Sequence, residues 1–106
     1  MNRLDYLIQL HQEQPNDPFL VYGIALEYKK HNAPEASVFF EKLVHSFPEY
    51  LPTYYQAAEY YVENNKMELA LIIYEKGIKL ASSLNEMKTL AELKNAKQNL
   101  EIDLMD

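Results

Sequence analysis

The 106 residues contain no cysteine and no tryptophan, only two glycines, and five prolines. Without cysteine there are no disulfides and no thiolate metal sites, which fits a reducing compartment. Two glycines are too few for the turns of an all-β chain, whereas helices joined by short turns need little such punctuation. Cations are also scarce. Ten Lys and Arg stand against sixteen Asp and Glu, for a net charge of −6 and a pI near 5.0. A nucleic-acid binder needs a basic stripe to meet phosphate, and none is visible. No apolar run approaches the roughly 20 residues that span a bilayer. Asp5 and Gln9 interrupt the N-terminal stretch where a secretory leader would be apolar. These absences predict a cytoplasmic domain with no nucleic acid and no membrane among its partners.

What the chain does have is a period. Apolar residues make up 48% and charged residues 25%, enough for one domain with one core. Ala36 and Ala70 are 34 residues apart, as are Phe40 and Tyr74, Glu41 and Glu75, and Lys42 and Lys76. Upstream, Val21, Ile24, Ala25 and Tyr28 match Tyr54, Ala57, Ala58 and Tyr61 at a spacing of 33. Each segment is helical in pattern. Ala36, Phe39, Phe40, Leu43, Val44 and Phe47 recur at three- and four-residue steps, and Ala70, Ile73, Tyr74, Gly77, Ile78 and Ala81 repeat them.

Boundary residues divide this pattern into six helices, near residues 2–13, 18–30, 34–46, 52–63, 66–82 and 84–104. Asp17 before Pro18 is an N-cap acceptor followed by a residue with no amide to satisfy. Pro34 and Pro52 suit the same first-turn position. Asn65 with Glu68, and Ser83 with Glu86, have capping-box spacing. Asn32 and Asn64 suit the left-handed conformation where one helix turns into the next. The N-terminal helix carries Leu4, Leu7, Ile8 and Leu10; the last carries Leu90, Leu93, Ala96, Leu100 and Leu104 along one side.

These spacings resemble the tetratricopeptide repeat, a 34-residue helix-turn-helix with small residues where paired helices approach. Ala25, Ala36, Ala58 and Ala70 stand at the small positions, and Tyr28, Phe40, Tyr61 and Tyr74 at the aromatic ones. Pro15 and Pro48 match the closing proline. Ser82 departs from it, so the fifth helix is expected to run on to Ser83 or Leu84; Leu43 and Gly77 depart from a late alanine. The resemblance implies an all-α antiparallel helix-turn-helix solenoid: a half-repeat at 1–17, full repeats at 18–50 and 51–84, and a capping helix at 85–106. Pentatricopeptide repeats share nearly the same period, but they bind RNA and want a basic groove that this acidic chain does not offer.

No motif for catalysis or cofactor binding is present, and no phosphate loop. His11, His31 and His45 lie at helix ends or turns with no partner at metal-ligand spacing, and read as solvated imidazoles or dipole partners. Glu59 and Glu63 are one turn apart, which reads more simply as a wet acidic patch than as an acid–base pair. Nine tyrosines are many, and Tyr54, Tyr55, Tyr60 and Tyr61 come in adjacent pairs that point about 100° apart. By register Tyr54 and Tyr61 belong to the core, leaving Tyr22 and Tyr55 for another face.

In the resembled family the first helix of each repeat lines a concave groove. The matching positions here are Phe19, Tyr22, Leu26, Lys29 and Lys30, then Pro52, Tyr55, Glu59, Val62 and Glu63. The resemblance thus implies a non-enzymatic module without cofactor or metal that binds a protein or peptide. A homodimer, with groove or end helix packed on a second copy, is the competing expectation. Relatives that hold acidic C-termini use a lysine, asparagine and arginine clamp. At the matching positions this chain has Tyr22, Leu26 and Gln56. With Glu59 and Glu63 nearby, the expected partner is apolar or aromatic, and neutral to basic.

Overall fold

The computed structural model describes residues 2–105. They form six helices: α1 (Arg3–Glu13), α2 (Pro18–Lys30), α3 (Glu35–Ser46), α4 (Pro52–Glu63), α5 (Met67–Ser83) and α6 (Met87–Leu104). The described residues include no strand. The chain forms two compact units, Met1–Tyr50 and Leu51–Asp106. In the first, α2 packs against α1 and α3; in the second, α5 packs against α4 and α6. Connections of three or four residues between packed helices make each neighbouring pair antiparallel.

Two kinds of signal end these helices. At α2, α4 and α5 the stop is an asparagine with positive φ: Asn32 at 49°, Asn65 at 62° and Asn85 at 56°. At each, the next residue donates its N–H five residues back, Ala33 to Tyr28, Lys66 to Tyr61 and Glu86 to Ala81, at 2.8–2.9 Å. The last-turn carbonyls are satisfied, and asparagine tolerates the left-handed backbone better than other residues with a Cβ. At α1 and α3 the stop is a residue before proline. Gln14 (φ −133°, ψ 69°) and Phe47 (φ −132°, ψ 56°) precede Pro15 and Pro48, whose rings push them out of the helical region. Ser82 stands where the second repeat would have that proline, and α5 accordingly runs to Ser83.

Several boundary assignments need correction. The left-handed residue after α4 is Asn65, not Asn64, whose side chain instead donates to the Tyr60 carbonyl at 2.8 Å. Neither capping box forms: Lys66 and Glu86 occupy the N-cap positions of α5 and α6, and the Ser83 hydroxyl donates to the Leu80 carbonyl. The left-handed turn displaces each helix start by one residue or more. Pro34 is the N-cap of α3 rather than its first residue. Asp17 caps α2 through Phe19 N–H at 3.0 Å, with Pro18 following, and Pro52 opens α4. Leu104 is exposed. It lies 17 residues beyond the start of α6, whereas the antiparallel α5 offers only 16 steps back from Ser83 to Met67.

Small residues mark the helix crossings. Ala25, Ala36, Ala58 and Ala70 are completely buried, beside Ile24, Phe40, Tyr54 and Tyr61. The tightest crossing is at Gly77. A Cβ there would stand 2.5 Å from the Tyr54 Cβ and 3.1 Å from the Leu93 Cδ1. Tyr54 belongs to α4 and Leu93 to α6, so one glycine lets α5 sit close to both neighbours. Gly23 differs, because a Cβ there meets the tip of Leu7 at 3.2 Å, and that tip can swing away.

The two glycines should therefore respond oppositely to alanine. Gly77→Ala gains about 1 kcal/mol of helix propensity but forces a near-backbone clash, and overpacking of roughly 1–3 kcal/mol should lower Tm. Gly23→Ala should leave Tm unchanged or raise it. Ala58→Leu and Ala70→Leu should destabilise by about 1–3 kcal/mol or more. Thermal unfolding followed by circular dichroism checks all four, and a Gly77→Ala protein that melts like the parent would contradict the crossing.

Candidate functional site

Thr53, Tyr54, Ala57, Ala58, Tyr60 and Tyr61 of α4 are buried. At 100° per residue they cover an arc of about 160°. Two adjacent tyrosines, 60 and 61, both fit within it, their rings 5.6 Å apart at 67°. The opposite arc carries Tyr55, Glu59, Val62 and Glu63. These four line a half-open cleft of about 330 Å³ whose floor includes Tyr74 of α5. The other wall is α6, through Glu92, Asn95, Ala96, Asn99, Leu100 and Asp103.

Tyr55 packs edge-on against Tyr74, ring centroids 6.5 Å apart at 74°. Tyr74 is itself buried, and its phenol is pushed up to about 12, first by burial and then by Tyr55 and Glu59. Four carboxylates line the cleft, and none of its described lining residues is a lysine or arginine. Lys97 of α6 donates a hydrogen bond to Glu75 of α5; that bond and its charge hold the Glu75 carboxyl below the usual carboxylate range. The chemistry on offer is aromatic and apolar contact with carboxylate and carboxamide acceptors at the edges, suited to binding.

Of the other groove positions, exposed Pro52 opens α4, and Phe19, Tyr22, Leu26, Lys29 and Lys30 lie in the first unit, on one face of α2. Phe19 is 59% exposed, and Tyr22, Leu26 and Lys29 are half-buried. Tyr22 meets Tyr50 edge-on, centroids 5.5 Å apart, and burial raises both phenols. The 330 Å³ cleft is built by the second unit alone. Of the histidines, His11 is not simply solvated. It is half-buried, its Nε2 is 3.1 Å from the Lys42 Nζ, and burial followed by that charge lowers its pKa.

The sequence reading assigned α6 to capping and missed that it forms a wall. The signal was there as a stripe: Glu92, Asn95, Ala96, Asn99 and Asp103 recur at helical steps, polar but short-chained. Among the described residues no helix is long and apolar enough to cross a membrane.

No protein-family model matches the chain, and no curated protein matches it. Solved structures do. A solution NMR structure of a tetratricopeptide repeat domain protein from Salinibacter ruber is 39% identical, with a TM-score of 0.77, over 82% of this chain and 89% of that one. A crystal structure of a tetratricopeptide repeat domain protein from the same organism is 38% identical, with a TM-score of 0.75, over 80% of this chain and 97% of that one.

Ionisation of Tyr74 gives a test of the cleft floor. The folded chain holds this proton up to about pH 12, whereas an unfolded tyrosine releases it near 10. Between those values the unfolded state binds fewer protons, so the stability linked to Tyr74 is intact below pH 10 and falls as pH rises towards 12. Tyr74→Phe should flatten that part of the stability profile, measured by urea unfolding from pH 9 to 12. An unchanged slope would mean that Tyr74 is not buried as described.

Proposed function

The chain belongs to the tetratricopeptide-repeat family, and from that premise we infer that its second unit binds a segment of another polypeptide in the cleft between α4, α5 and α6. The repeat is a protein-interaction fold. The observation that carries the finer reading is the cleft lining: half-buried Tyr55, Val62 and Ala96, with Leu100 buried beneath, beside carboxylates and carboxamides. Aromatic side chains supply contact area at low conformational entropy, and acceptors at the edge fix orientation. The role is binding and not catalysis, and the α2 face bearing Phe19, Tyr22, Leu26 and Lys29 is a second candidate contact surface.

A self-assembly reading rests on a different surface. Met87, Ile102 and Met105 are exposed and fall within about 60° of one another around the axis of α6, Met87 at its start and the other two at its end. A second copy could cover that stripe. Sedimentation separates the readings: a mass near 12.4 kDa at tens of micromolar favours the adaptor, and a doubled mass favours assembly.

A photoreactive benzoylphenylalanine placed at Val62, and separately at Gln98 on the exposed α6 face, tests the cleft directly. The adaptor reading expects a heterologous adduct from Val62 that is lost when Tyr55→Ala is added. Adducts only from Gln98, or only to a second copy, would overturn it. Tyr55→Ala also removes the edge-on contact with Tyr74, so a stability loss of about 0.5–1.5 kcal/mol accompanies the loss of binding.

A further inference from the structure

Three of the four cleft carboxylates, Glu63, Glu92 and Asp103, are exposed, and Glu59 acts on Tyr74 at the floor. Glu92 and Asp103 are eleven residues apart on α6, about 16 Å along the helix axis. Both are exposed, as is Glu63 on the facing wall. Between the two α6 carboxylates the cleft is lined by Asn95, Ala96, Asn99 and Leu100, all uncharged. One cation cannot reach both ends. Lys97 of α6 is paired with Glu75 of α5. An acidic segment laid here would meet repulsion from the carboxylates, whereas a cation at either end would be drawn in.

We propose that the occupant of this cleft is a segment of another protein with a lysine or arginine at each end of a short uncharged stretch, one cation meeting Glu92 and the other Asp103. This rests on the reading of the cleft as a peptide site and adds the chemistry of the partner. Tyr55 favours the same occupant, because a cation over an aromatic face gains further attraction. The raised phenol of Tyr74 is consistent with it, since burial and Glu59 together resist another negative charge at the floor. The span fits either of two ligand backbones. An extended segment covers about 16 Å in roughly five residues and a helical one in roughly eleven.

A random dodecapeptide library is long enough for both and serves as the probe. Selection against the intact protein should enrich peptides with two Lys or Arg residues separated by uncharged ones, and deplete Asp and Glu. Enriched peptides should bind about tenfold more weakly to a Glu63→Gln, Glu92→Gln, Asp103→Asn variant, and more weakly as salt rises. The three positions are exposed, and an unchanged circular dichroism spectrum confirms that the variant is folded. Peptides that depend on Tyr55 but are neutral or acidic would overturn the charge inference and leave the cleft standing as a site. Failure to enrich any peptide whose binding depends on Tyr55 would overturn the peptide site and the inference together.

Discussion

The approach of α5 to its two neighbours at Gly77 is the constraint on which the second unit depends. No Cβ fits between Tyr54 and Leu93 at that point, so the residue must be glycine for α4 and α6 both to lie close to α5. Their closeness brings the outer arc of α4 within reach of the inner arc of α6, with Tyr74 beneath. Glycine in a helix interior costs about 1 kcal/mol relative to alanine. That local loss is offset by burial of Tyr54, Tyr61, Ile73, Tyr74 and Leu93 around the crossing. In the first unit the corresponding position is Leu43, which is buried, and the small residues Ala25 and Ala36 accompany its packing.

The turn chemistry decides which helices extend. A proline after Gln14 and after Phe47 stops α1 and α3 sharply. Serine at position 82 lets α5 continue until Asn85 turns it, and α6 is then joined to α5 by the same left-handed asparagine turn that joins α5 to α4. The loss of one proline thus converts the end of the second repeat into another hairpin, and a helix that would only cap becomes the second wall of a cleft.

The helices were legible because each buries a broad stripe, and a broad stripe leaves a strong period in the sequence. Ala36, Phe40, Ala70 and Tyr74 recur in register for that reason and are all buried. Two things were harder to read. Where asparagines are adjacent, as at Asn64 and Asn65, composition favours a left-handed turn without saying which residue adopts it; the hydrogen bond from Lys66 to Tyr61 decides. The α6 wall was missed because Asn and Glu on a helix ordinarily signal water. The short polar stripe gains its meaning only from the neighbour across the cleft, and no local pattern encodes that neighbour. Tyr55 lies 100° of helical rotation from the buried Tyr54 and lines the cleft.

The central claim is that Gly77 holds α4 and α6 together against α5, and the cleft follows from it. Nuclear Overhauser contacts from the Gly77 α-protons test this in the unmodified protein. Strong cross-peaks to the Tyr54 β-protons and to a Leu93 δ-methyl are expected together. Cross-peaks to neither residue, or to Leu93 alone with Tyr54 detached, would contradict the account.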